Sequence, residues 1–255
     1  MSALIAVCMH DAVHLLTDGA ALARSDGTLV EFRRKQALCC NNGVAVAAIG
    51  FSPRAWHFAQ LADEQLNDFD AVIDAAVELW AETWRALPAD AQDIPGVMVL
   101  AGWSAKAGKL SMYVIRENSE LVEAGAYAAG PVDTCGEALR RITKRFGPDP
   151  SSFTIRDGVE VMEALRREHP RPYPTGLRPA VGGFITHTMM TATDVRTEVI
   201  HRWPDRIGHP IDIDASADPE MRDDNFCGMT MAEVYAMREA MVLRRAVHLD
   251  EGLST

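Results

Sequence analysis

The stretch SALIAVCMHDAVHLLTDGAA, Ser2 to Ala21, decides how the chain is read. Leu4 to Cys8 is apolar throughout, Met9-His10-Asp11 is polar enough to turn, and Ala12 to Thr17 (AVHLLT) is again strand-like. Two short apolar runs joined by a turn predict an antiparallel hairpin with both faces largely covered. A hairpin turning near His10-Asp11 pairs residues whose numbers sum to about 21, which brings Asp18 opposite Ala3 and beside Ser2. A carboxylate is thereby delivered to the first residues of the sequence.

Working outward, Ser25-Asp26-Gly27-Thr28 is a second turn signal, and Lys35 to Cys40 and Val44 to Ile49 form another strand pair around Asn41-Asn42-Gly43. Ser52-Pro53 then offers a capping hydroxyl before a proline at the first helical position, opening a helix through Leu61. Apolar residues at helical spacing predict one helix from Phe69 to Leu87. Strands are expected at Val97 to Ala101, Lys109 to Ile115 and Leu121 to Ala124, and helices at Thr134 to Phe146 and Asp157 to Glu168, the first opened by a Thr134-x-x-Glu137 capping box. Gly183 to His187 and Thr197 to Trp203 read as strands, and a helix over Met231 to Val247, opened by Thr230-x-x-Glu233, closes the sequence. Runs of strands alternating with runs of helices argue for a layered α+β sandwich over a doubly wound sheet.

Length and composition bound the rest. With 255 residues, 48% hydrophobic and 24% charged, the chain suits one large globular domain, 1–255, and carries no evident linker. The formal net charge is −11 and the Arg pairs are scattered, which disfavours nucleic acid and anionic membrane as partners. No basic segment precedes the first apolar run, and no run approaches the ~18 apolar residues that span a bilayer, so a cytoplasmic location is expected. The five cysteines lack C-x-x-C spacing and read as buried free thiols.

The opening stretch, followed by Lys35 and then AVAAIGFSPRAW, resembles the first third of proteasome β-type subunits and their bacterial relatives, the N-terminal nucleophile (Ntn) hydrolases. The resemblance implies a four-layer αββα sandwich and runs from Ser2 to about Gln60. It places Ser2 where the family has its terminal Thr nucleophile, Asp18 at its acidic residue, Lys35 at its active-site lysine, and Gly50 at the glycine whose N–H serves the oxyanion hole. The Ser2-to-Asp18 spacing is the family's own, while Lys35 requires a one-residue insertion in the turn at Ser25 to Thr28. Of the family's later motifs, only Thr175-Gly176 has a counterpart, within HPRPYPTGLRP.

The chemistry these residues carry is coherent by itself. With Met1 removed, Ser2 bears a hydroxyl and an α-amine whose reference pKa of about 7.7 to 8.0 suits it as its own general base. Lys35 would stabilise developing negative charge, Asp18 would hold its ammonium, and Gly50 lacks a side chain to obstruct a substrate carbonyl. The implied reaction is amide or peptide hydrolysis through an ester on Ser2, in a homo-oligomer and without cofactor or metal. A catalytically silent assembly or binding module is the alternative. The spacing Asp212-x-Asp214-x-Ser216-x-Asp218 lacks the central Gly of a calcium loop, and the eight His residues show no H-E-x-x-H, so neither points to a metal. Ser52 reads as a helix cap, since Gly50-Phe51-Ser52-Pro53-Arg54 lacks the second glycine of a nucleophile elbow.

Overall fold

In a computed structural model, residues 3–50, 53–87, 94, 96–116, 118–130, 135–168 and 170–214 are described. Met1, Ser2, Ser52, Thr134 and the expected closing helix lie outside these residues.

The opening hairpin forms as the sequence predicts. Strands β1 (Leu4–Cys8) and β2 (Val13–Asp18) pair antiparallel with Leu4 opposite Thr17 and Cys8 opposite Val13. They are flanked by β10 (Tyr127–Gly130) on one side and by β13 (Phe184–Met190) and β14 (Val195–Arg202) on the other, giving a five-stranded sheet in the order β10-β1-β2-β13-β14. A second five-stranded sheet runs β5-β6-β7-β8-β9, from β5 (Gln36–Cys39), β6 (Val44–Ile49), β7 (Val97–Ser104), β8 (Lys109–Arg116) and β9 (Leu121–Ala124). Two small hairpins complete the strands, β3 (Ala20–Leu22) with β4 (Leu29–Phe32) and β11 (Arg171–Tyr173) with β12 (Gly176–Arg178). The protein is a mixed α+β structure whose strand pairs are antiparallel.

Period-two alternation sends the apolar residues of each sheet to two different clusters. Leu4, Ala6, Val13 and Leu15 of the first sheet meet Ala45, Ala47, Val99, Ala101 and Met112 of the second. The alternate residues Val46, Met98 and Leu100 of the second sheet pack with helices α1 (Pro53–Gln65), α2 (Phe69–Asp74) and α3 (Ala76–Arg85) through Phe58, Val72 and Trp80. Ile5, Leu16 and Ile185 of the first sheet pack with α4 (Cys135–Phe146) and α5 (Ile155–Glu168) through Ile142, Met162 and Leu165.

The single helix expected from Phe69 to Leu87 is two helices. Ala75 (φ −98°, ψ 3°) leaves the α region, and Asp68 caps the shorter one by accepting the Ala71 N–H. The break follows from two different partners. Asp70 accepts hydrogen bonds from Ser104 Oγ (2.7 Å) and the Lys106 N–H (2.9 Å) at the β7–β8 turn, whereas α3 packs along α1. Strand β10 and the β11–β12 hairpin were not foreseen; AYAAG carries too few branched or aromatic residues to announce a strand.

Gln36, at the start of β5, ties the sheets together. Its side-chain amide N–H groups reach Leu15 O (3.2 Å), Thr17 Oγ1 (3.1 Å) and Thr186 O (3.0 Å), and its carbonyl accepts from Thr188 Oγ1 (2.5 Å). All four partners belong to the other sheet, and Gln36 is buried. The buried Gln36 amide thus has partners for both its N–H groups and its carbonyl, as burial requires.

On the helix-facing side of the first sheet, His14 and His187 are stacked at 9° between ring planes, with Nδ1 of His14 3.0 Å from Nε2 of His187. That contact needs one N–H and one lone pair, so it excludes a doubly protonated pair. Burial pushes both imidazoles below their usual pKa, His187 to about 4 with help from the neighbouring His14, while Asp11 partly opposes the shift at His14. Glu198 Oε1 lies 3.7 Å from the His187 ring, but it is exposed and does not offset burial. A folded-state pKa depressed below the unfolded value of about 6.5 means that only the unfolded chain takes up the proton as the pH falls through this range. The contribution is complete above about pH 6.5 and should be lost progressively toward pH 4, to roughly 3 kcal/mol. Urea denaturation at pH 7 and pH 4.5 checks this, and His187→Gln, which still offers His14 a hydrogen-bond partner and does not titrate, should flatten the fall.

Candidate active site

The site sits where β2 ends and β5 begins. Asp18 is fully buried, and its carboxylate is held from four directions. Oδ1 accepts the Ala3 N–H (2.8 Å) and Lys35 Nζ (2.8 Å). Oδ2 accepts the Ala20 N–H (3.2 Å) and, more weakly, the Gly182 N–H (3.4 Å). The Asp18 N–H in turn donates to Ala3 O at 3.2 Å, extending the hairpin ladder by one residue. Ala3 is therefore gripped by both the backbone and the side chain of Asp18. Because β1 runs between β10 and β2, the backbone leading to the first residues is anchored on both edges.

Lys35 reaches this carboxylate from the second sheet. It is 2% exposed, and Nζ also donates to Ala20 O at 2.8 Å. Among the described residues the ammonium thus uses two of its three donors. Burial pulls its pKa below the usual ammonium range; Asp18, by charge and by hydrogen bond, works against that shift, and the nearby Arg33 guanidinium adds to it. Desolvation and ion pairing oppose each other here, as expected for a buried pair.

Gly50 follows β6 directly with φ +94°, a conformation that side-chain-bearing residues rarely adopt. Ala48 N–H donates to Lys35 O (2.9 Å), so Lys35 and Ala48 are cross-strand neighbours, and Gly50 comes two residues later, directly after the last residue of the strand. Asp18, Lys35 and the strand end bearing Gly50 are thereby brought together by one hairpin and one sheet-to-sheet contact. Ser2 is bonded to Ala3 and lies outside the described residues.

The Thr175 hydroxyl donates to Asp26 O at 3.3 Å, on the small β3–β4 hairpin. Two pairings escaped the sequence reading, the His14–His187 stack and a buried ion pair between Arg166 and Asp205 (2.6 and 2.8 Å). No local pattern joins partners separated by 173 or 39 residues. Among the described residues, no group of three or more His, Cys, Asp or Glu side chains is arranged to hold a metal ion. Among them, too, no helix is long and apolar enough to cross a membrane.

Comparison of the chain with protein-family models and with curated proteins finds no match.

The geometry predicts a marked asymmetry between single and paired substitutions. Lys35→Met leaves a buried carboxylate with backbone partners only and should cost about 3–5 kcal/mol, whereas Asp18→Leu/Lys35→Met removes both charges and should cost clearly less than Lys35→Met alone. Equilibrium unfolding of the three proteins measures the difference. Equal costs for the single and double variants would show that the pair is not electrostatically coupled.

Proposed function

We propose that this protein is an Ntn hydrolase of the proteasome-like type, cleaving amide or peptide bonds through Ser2 once Met1 is removed. One observation carries the reading: a buried carboxylate–ammonium pair, Asp18 and Lys35, is hydrogen-bonded to the backbone of Ala3, the residue that follows Ser2. The three apolar clusters, one between the sheets and one on each side with helices, support a four-layer αββα sandwich as the scaffold. The positive φ of Gly50 supports its assignment as the donor to an oxyanion.

In this reading the Ser2 Oγ attacks the substrate carbonyl carbon and its proton passes to the Ser2 α-amine. The carbonyl π electrons move to oxygen, which the Gly50 N–H stabilises. Collapse of the tetrahedral intermediate breaks the C–N bond, the leaving amine takes the proton from the α-ammonium, and an ester on Ser2 remains. Water, deprotonated by the same amine, then attacks the ester, and Ser2 Oγ leaves with its proton restored. The remaining donor of Lys35 serves the Ser2 oxygen, lowering the cost of its developing charge. Assembly from identical copies and a cytoplasmic location belong to the same reading through the family resemblance.

A silent assembly or binding module is the second reading. It is favoured by Thr175, whose hydroxyl is committed to Asp26 O although Thr175-Gly176 is the counterpart of a family motif that supports the amine.

Intact mass measured before and after exposure to a β-lactone electrophile separates the two. The hydrolase reading predicts loss of Met1 and a single adduct on Ser2, abolished in Ser2→Ala with little change in stability. A retained Met1, an unlabelled Ser2, or full hydrolytic activity in Ser2→Ala would sink it.

A further inference from the structure

The Arg166–Asp205 pair lies away from the Asp18–Lys35 pair in sequence but is joined to it through one short backbone segment. Arg166, on α5, is 3% exposed, and Asp205, in the loop after β14, is 5% exposed. Their forked contact has Nη1 at 2.8 Å from Oδ2 and Nη2 at 2.6 Å from Oδ1. Beyond pairing, both side chains hold the chain at 181–183. Arg166 Nη1 donates to Val181 O (2.9 Å), and Asp205 Oδ2 accepts the Gly183 N–H (2.7 Å). Gly183 O is fixed as well, accepting the Trp203 N–H at 2.9 Å.

Gly182, held on both sides, makes its own two hydrogen bonds to the site. Its N–H points to Asp18 Oδ2 (3.4 Å) and its carbonyl accepts the Gly19 N–H (3.1 Å). The fit leaves no room for a side chain. A Cβ on Gly182 would stand 2.5 Å from Asp205 Oδ2, 2.6 Å from Ile211 Cδ1 and 2.8 Å from Arg166 Nη1.

We propose that Arg166 and Asp205 are positioning residues of the Asp18–Lys35 site, acting through the Gly182 peptide to fix the Asp18 carboxylate. This deepens the hydrolase reading and rests on it for its catalytic consequence. A buried, bidentate guanidinium–carboxylate pair is costly to desolvate, and an apolar pair of similar volume often serves stability as well. What an apolar pair cannot supply is a donor to Val181 O and an acceptor for the Gly183 N–H. Loss of those two bonds frees the Gly182 peptide, and the carboxylate that orients Lys35 loses one of its fixed neighbours.

The test uses the full chain with three substitutions: Gly182→Ala, the volume-preserving pair Arg166→Met/Asp205→Leu, and Met98→Ala as a control that destabilises the other sheet. Two readouts are taken on each folded protein, the titration midpoint of Lys35 followed by NMR of its ε-methylene carbon, and the pH profile of β-lactone labelling at Ser2. Gly182→Ala and Arg166→Met/Asp205→Leu should move the Lys35 midpoint and slow labelling at pH 7 by about tenfold, as misplacement of a catalytic group does. Met98→Ala should lower the melting temperature without moving either. If either of the first two variants folds and leaves the Lys35 midpoint in place, the proposal is overturned, as it is by a Met98→Ala shift of equal size. If wild-type Ser2 is not labelled at all, the hydrolase reading fails, and the Lys35 midpoint alone still decides whether Arg166 and Asp205 act on the Asp18–Lys35 pair.

Discussion

Two consecutive side chains, Lys35 and Gln36, cross from one sheet to the other, and the arrangement of the molecule depends on that crossing. Lys35 reaches the Asp18 carboxylate at the end of β2, and Gln36 reaches carbonyls and hydroxyls along β2 and β13. Apolar contact between the sheets is non-directional and would tolerate sliding. Hydrogen bonds from one short segment to named atoms of the opposite sheet do not. Each buried polar group left without its partner costs about 1–3 kcal/mol, so a displaced register carries a penalty that apolar packing alone would not impose.

Fixing the sheets in this way also fixes Ala3. Asp18 holds Lys35 and Ala3 with the same oxygen, so the position of the second sheet is transmitted to the residue that precedes β1 through a single carboxylate. Glycine makes the surroundings of that carboxylate possible. Gly19 has Phe184 ring atoms 2.6 to 2.7 Å from where its Cβ would stand, and a Cβ on Gly183, at φ +77°, would stand 3.2 Å from backbone atoms of Ala20 and Gly19. Backbone segments from opposite ends of the first sheet's sequence meet there, leaving space for hydrogen bonds and little else.

Much of this was legible, and what was not has a physical reason. The register of β1 on β2 followed from the position of one turn, since an antiparallel hairpin pairs residues symmetrically about it. Asp18 beside Ala3 was therefore readable without knowledge of any other strand. Lys35 beside Asp18 was a different matter, because it depends on how two sheets stack; only resemblance supplied it. The position of β13 against β2, which creates the His14–His187 stack, follows from packing over the whole first sheet and leaves no local trace. The same holds for Arg166, whose place in an amphipathic helix marks it as an ordinary charged residue until the loop carrying Asp205 is folded over it. The break at Ala75 was hidden for a related reason: helical spacing continues across it, and only the tie from Asp70 to the β7–β8 turn separates the two halves.

Charge at the Asp18–Lys35 pair still requires an account that stability does not provide. Gln36, one residue away, already links the sheets with neutral hydrogen bonds, which carry a smaller desolvation cost than an ammonium and a carboxylate. A second link made of two buried ions aligns the same sheets at a higher desolvation cost. It differs from the neutral one in two respects: the ammonium is held below its usual pKa by burial, and the carboxylate is spent on the backbone of the residue that follows Ser2. Under the hydrolase proposal, both suit a group that acts on a neighbouring hydroxyl and amine. The neutral staple accounts for the alignment of the sheets, and under the same proposal the charged pair is what that alignment serves.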